Sequence, residues 1–143
     1  GRKFRLSDLR GSVVVLSFIY TNCDQAAMCP MAMAKLAEVQ KKGIPGVRFL
    51  MISFDPERDT PEKLREYAAR YQVDPSTFWL ATGQVGALAR SLNNLYRQVA
   101  PGQFDHTIVI RVADRDGVLR EEFFGTGWSV DDFVAALERL VKS

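Results

Sequence analysis

Val13-Val14-Val15-Leu16-Ser17-Phe18-Ile19-Tyr20-Thr21-Asn22-Cys23-Asp24-Gln25-Ala26-Ala27-Met28-Cys29-Pro30 is the most informative run in the chain. Its first eight residues are apolar apart from Ser17 and rich in β-branched and aromatic types, which predicts a strand buried on both faces. Pro30 suits the first turn of a helix, where no amide donor is needed. The helix is predicted to run to about Lys42, with Gly43 stopping it. A buried strand feeding a loop and then a helix is the repeating unit of an open α/β sheet. In such a sheet, ligands bind at the carboxyl ends of the strands.

Outward from this unit, Val47 to Phe54 reads as a second buried strand. Thr60-Pro61-Glu62 is a helix start with a hydroxyl cap, a proline at the first position and an acid in the first turn. That helix carries Leu64, Tyr67, Ala68 and Tyr71 at core spacing. Phe78-Trp79-Leu80 predicts a short strand and Val85 to Leu95 another helix. Thr107 to Val112 and Val118 to Phe124 are strands around the turn Asp114-Arg115-Asp116-Gly117. Ser129 caps a last helix, with Asp132 three residues on, and Phe133, Val134, Leu137, Leu140 and Val141 form its apolar stripe. The order β-α-β-α-β-α-β-β-α predicts an α/β protein with a central mixed β-sheet flanked by helices on both faces, compatible with a thioredoxin-like fold. No repeat or linker interrupts it, so residues 1–143 are expected to form a single domain.

Composition narrows the function classes. Of 143 residues, 47% are hydrophobic and 25% charged, and the net charge is +2, which excludes a disordered chain. No basic run marks a nucleic-acid-binding surface. The longest apolar stretch is far too short to span a bilayer. The chain opens Gly1-Arg2-Lys3-Phe4, without an initiator methionine or an apolar targeting segment, and reads as a mature or trimmed soluble domain. Two cysteines cannot make a disulfide-dense scaffold, so their role is local.

Both cysteines share one strand-to-helix loop. Cys29 lies at the helix N-terminus, where free amides and the macrodipole favour a thiolate. Cys23 sits on a loop able to fold back over the same helix end. Two thiols held there can close a disulfide or clamp a soft metal ion; the plain alternative is two unrelated cysteines, one simply buried. Met28, Met31 and Met33 surround Cys29, and thioethers suit Cu(I). Met31 and Met33 are two residues apart on a helix, share no face, and are assigned to core packing. Met28 is a possible accessory ligand. The one histidine, His106, precedes the strand that starts at Thr107 and could reach the sheet end near the cysteines. Two thiolates and one imidazole form a three-coordinate set suited to copper, with Asp105 placed to orient the ring. A structural zinc site would want a fourth ligand, and none stands out. The acids of Asp55-Pro56-Glu57-Arg58-Asp59-Thr60-Pro61-Glu62 are expected to cap and be solvated rather than to catalyse.

Taken together, these residues resemble the Sco/SenC family of copper-binding, thioredoxin-fold proteins. The resemblance rests on Tyr20-Thr21-Asn22-Cys23, Cys29-Pro30, Phe54-Asp55-Pro56-Glu57-Arg58-Asp59-Thr60-Pro61, Asp105-His106, Gly117 and Phe124-Gly125, and it covers nearly the whole chain in order. It implies copper binding by Cys23, Cys29 and His106. It also implies a place outside the cytosol, in the bacterial periplasm facing the inner membrane, with a membrane tether. The usual family motif has three residues between its cysteines, whereas five, Asp24 to Met28, lie here, which points to a divergent branch. The implied function is a metallochaperone delivering copper to an extracytoplasmic cuproprotein, usually at the binuclear copper centre of cytochrome c oxidase, with a thiol reductant protein as a second partner. The competing function is a thiol–disulfide oxidoreductase in which Cys23 and Cys29 are the redox-active pair. A peroxiredoxin is disfavoured because Ala26 stands where a threonine is expected before the reactive cysteine.

Overall fold

The computed structural model describes residues 2–23, 28–83, 86–92, 96–101, 103–106 and 108–143; for 96–100 and 103–106 the description is of the backbone. After a 3-10 turn at Leu6–Leu9, the elements are β1 (Val13–Ile19), α1 (Cys29–Lys41), β2 (Val47–Ser53), α2 (Pro61–Arg70), β3 (Phe78–Ala81) and α3 (Gly86–Ser91). There follow β4 (Tyr96–Ala100), β5 (Gln103–His106), β6 (Val109–Ala113), β7 (Leu119–Phe124) and α4 (Val130–Lys142). Five strands form one sheet in the order β3-β2-β1-β6-β7, and β4 and β5 form a separate two-stranded sheet. β1 runs parallel to β2, and β2 to β3, whereas β6 is antiparallel to β1 and β7 to β6. The main sheet is therefore mixed, as the element order predicts.

β1 is its central strand. Every residue of β1 is buried except half-buried Val14, as expected for an apolar run covered on both sides. On one face, α1 and α4 pack together: Lys35 of α1 donates to the carbonyls of Thr126 and Trp128, both at 2.6 Å, and lies over the Trp128 ring. Trp128 and Phe123 in turn stack on Phe133 of α4, with centroids 4.7 and 4.4 Å away. On the opposite face, Leu88 and Leu92 line a hollow with Val14 and Leu16, and Arg111 of β6 donates to the Leu92 carbonyl.

Local chemistry explains the element ends. The Thr60 hydroxyl accepts from the Lys63 amide, and Ser129 from that of Asp132, so both predicted caps are made. In the β6–β7 turn, Asp114 Oδ1 accepts from the amides of Asp116 and Val118, and Gly117 takes φ +83°. The Arg120 guanidinium, 2.7 Å from Asp114, leads the contacts that hold this carboxyl below its ordinary range. Two departures stand out. The helix expected over Val85 to Leu95 is Gly86–Ser91, with 85 and 93–95 outside the described residues. The β4–β5 hairpin was not anticipated at all. Among the described residues, no helix is long and apolar enough to cross a membrane.

Phe133 is fully buried between α4 and the sheet. Phe133→Ala is expected to cost about 3–5 kcal/mol of unfolding free energy by urea denaturation, and a loss below about 1 kcal/mol would contradict this packing.

Candidate metal centre

β1 and β2 end side by side, with Ile19 opposite Ser53, so the chain leaves both strands at one edge of the sheet. The Phe54 amide donates to the Ile19 carbonyl at 3.0 Å, which holds the loop after β2 against the loop after β1. Asp59 then joins them. Its side chain is wholly buried and accepts from the Thr21 amide at 3.1 Å, from the Thr21 hydroxyl, and from Ser53 Oγ at 2.5 Å. Ser53 Oγ also accepts from the Asp55 amide, and the Asp59 amide donates to the Asp55 carbonyl. Asp55 is buried too, with Arg58 at 3.3 Å from its Oδ1, while its Oδ2 meets no partner. The expectation of capping, solvated acids therefore fails for Asp55 and Asp59. Glu57 and Glu62 are exposed, but the turn after β2 points the two aspartates inward, where a buried carboxylate persists only with donors around it.

This clamp sets the stem of the cysteine loop. Thr21 is held by Asp59, and the Cys23 amide closes a turn onto the Tyr20 carbonyl at 3.3 Å. Cys29 opens α1, followed at once by Pro30, and is fully buried; Cys23 is half-buried. Both are thiols rather than a disulfide, and their side chains are in hydrogen-bonding contact. That contact comes first among the causes that push the Cys29 thiol well above its ordinary value, followed by burial and the charge of Cys23. The helix N-terminus was expected to favour a Cys29 thiolate. In the metal-free dithiol it is outweighed, because a neighbouring sulfur and a dry environment both disfavour a second negative charge. Asp24 to Ala27 lie outside the described residues.

The methionines divide. Met33 is in the core and Met28 is half-buried against it, but Met31 is 41% exposed, which corrects its assignment to core packing. A residue two positions from Met33 on a helix points to nearly the opposite side. Tyr67 of α2, which the sequence offered only as a core residue, is buried in the same cluster as Cys29.

Asp105 and His106 precede the strand β6, as expected, and themselves end β5, with His106 opposite Tyr96 of β4. Because β6 is antiparallel to β1, its start lies at the carboxyl end of β1, where Ser17 Oγ donates to the Val109 carbonyl. The His106 backbone comes three residues before Val109. The side chains of Asp105 and His106 lie outside the described residues. Among the described residues no group of three or more His, Cys, Asp or Glu side chains gathers.

Comparison with known proteins supplies the context for this pair of thiols. The family model described as SCO1/SenC matches residues 1–142. The SCO1 protein homolog of Bacillus subtilis is 35% identical over 86 residues, covering 58% of this chain and 44% of that protein. Among solved structures, BsSco, described as a member of the Sco family of cytochrome c oxidase assembly proteins with a disulfide switch, superposes with a TM-score of 0.83 at 26% identity. That match covers 99% of this chain and 87% of the other. Bradyrhizobium japonicum ScoI with copper bound gives a TM-score of 0.79 at 27% identity over 94% of this chain and 88% of its own. The mixed sheet with helices on both faces is thus the thioredoxin-like architecture of these structures. The chain spans about half the length of the curated relatives it matches.

Asp59→Ala orphans the Thr21 amide, the Thr21 hydroxyl and Ser53 Oγ together. It is expected to cost at least about 3 kcal/mol in urea unfolding and to speed alkylation of Cys23; Asp59→Asn, which keeps an acceptor, is expected to cost less. A neutral Asp59→Ala would remove Asp59 as the clamp of this loop.

Proposed function

Because the chain belongs to the SCO1/SenC family, we propose that it is a copper-binding metallochaperone that delivers copper to an extracytoplasmic cuproprotein, in assembly of the binuclear copper centre of cytochrome c oxidase. The observation that carries this function is the contact between the Cys23 and Cys29 thiols at the carboxyl end of β1, on a scaffold shared with a copper-bound relative. Two adjoining sulfurs are soft donors suited to Cu(I), and an imidazole extends the set to Cu(II). Cys23, Cys29 and His106 are the ligands in this scheme. Asp105 orients the His106 ring, and Met28, half-buried next to Cys29, is an accessory thioether donor.

Loading exchanges protons for metal. The same contact and burial that keep Cys29 protonated in the metal-free dithiol favour a cation between the two sulfurs once one is offered, since its charge offsets the second thiolate. A pair this close can also close as a disulfide if the Cβ atoms approach, and a thiol reductant protein is then the partner that restores the copper-binding form. The copper-bound relative on the same scaffold favours the chaperone over a free-standing thiol–disulfide oxidoreductase. The family resemblance supports an extracytoplasmic site of action, with the bacterial periplasm and a membrane tether as its specific form.

Anaerobic titration of the reduced protein is expected to give one copper per chain, with thiolate-to-copper absorption in the Cu(II) form. The Cys23→Ala, Cys29→Ala double variant is expected to abolish binding, and His106→Ala to weaken Cu(II) binding by more than about 100-fold. Unaltered affinity in His106→Ala would remove that residue from the ligand set, and a wild-type protein that binds no copper would end the chaperone assignment.

A further inference from the structure

The near-balance of 19 basic and 17 acidic residues hides an uneven distribution. Beside the edge strand β3, two adjoining hollows share Arg2, Phe4 and Trp79 as walls; Lys3 and Arg48 line one of them, and Arg65 of α2 lines the other. One acid faces these four cations, Asp8, whose carboxylate accepts from the Arg5 amide at 2.8 Å. Among the described residues, none of the four forms an ion pair. Arg2, Lys3 and Arg65 are exposed, and Arg48 and Trp79 are half-buried. Trp79 is the centre of the patch. The Arg2 and Arg48 guanidinium carbons lie 4.8 and 5.3 Å from its ring centroid, and Phe4 meets it edge-on at 5.2 Å. The patch lies away from the cysteines. Ser53 ends β2 beside the cysteine loop, and Arg48 precedes it on that strand, about 16 Å away at the rise of extended chain.

We propose that this patch docks the folded domain on an anionic lipid surface, with Lys3 and Arg65 against headgroup phosphates and Trp79 at the headgroup level. Unpaired cations complement the charge of such a surface. An indole, apolar in body and polar at its N–H, suits the boundary between headgroups and acyl chains, where tryptophan is enriched. A small anion is a poorer fit. None of the four cations is buried, and two of them lie on the Trp79 ring instead of converging on one point. An acidic protein would match the charge, but not the aromatic surface between the cations. Docked this way, the domain keeps its cysteine loop at the far end of the strands, clear of the lipid. The inference rests on charge and packing and does not depend on copper.

Sedimentation with lipid vesicles tests it. The wild-type protein is expected to bind vesicles of phosphatidylglycerol and phosphatidylcholine in equal parts, to ignore pure phosphatidylcholine, and to be released by about 0.5 M salt. Each basic side chain near such a surface strengthens binding about fivefold, so Lys3→Gln, Arg65→Gln is expected to weaken it about 25-fold. The control Arg90→Gln, Lys142→Gln removes the same charge from exposed positions outside the hollows and should bind within about twofold of wild type. Brominated lipid in the anionic vesicles should quench Trp79 emission, and the quenching should vanish in Trp79→Phe, where Trp128 alone emits. A wild type that ignores the anionic vesicles, or binds pure phosphatidylcholine equally well, would overturn the assignment. So would an unaffected Lys3→Gln, Arg65→Gln variant, an equal loss in the control, or quenching that persists in Trp79→Phe. Tighter binding to soluble polyglutamate than to the vesicles would overturn it in favour of an acidic protein partner. Should Trp79→Phe not fold, the two glutamine variants, altered only at exposed positions, decide the matter. Copper takes no part in these measurements, so their failure and that of the chaperone function are separate outcomes.

Discussion

A single buried carboxylate holds the candidate site in place. Asp59 takes hydrogen bonds from Thr21 on the β1 side and Ser53 on the β2 side, so two loops that merely leave the sheet at the same edge become one body. A carboxyl group buried this deeply persists only because hydrogen-bond donors replace its water. The consequence reaches the chemistry. With Thr21 held and the Cys23 amide turned back onto Tyr20, the stem of a long inter-cysteine loop is short and stiff. Cys23 is thereby kept near Cys29 although five residues separate them.

The sulfur pair shows how two local preferences can oppose each other. A helix N-terminus favours a thiolate, and Cys29 opens α1. Burial and a contacting second thiol act against that and prevail while no cation is present. The same balance reverses when positive charge arrives between the sulfurs. An arrangement that keeps Cys29 protonated as a dithiol is receptive to a soft metal ion, whose charge offsets the second thiolate.

Most strands and helices were legible because their periodicity was strong. The Val13–Ile19 run, the Thr60-Pro61 start and the Ser129 cap each carry a mechanism within a few residues, and each appears where expected. The β4–β5 hairpin had a sequence signal too, the Pro101-Gly102 dipeptide between short polar and apolar runs, but Tyr96–Ala100 and Gln103–His106 are brief and mixed in character. The inward aspartates had no local signal. Asp55 and Asp59 sit among prolines, an arginine and a glutamate, in company that elsewhere marks a solvated turn, and only the pairing of β1 with β2 supplies the donors that make burial tolerable.

By itself, the sequence determined the strand–loop–helix unit, the caps and the scarcity of metal-capable side chains, because each depends on residue types and on neighbours a few residues apart. Tertiary structure alone decided that Asp59 faces inward, that Met31 faces outward and that the Cys29 thiol is raised and not lowered. These outcomes depend on which distant groups share a dry interior. Residue order does not display that quantity, because desolvation and contact are set by the packed fold.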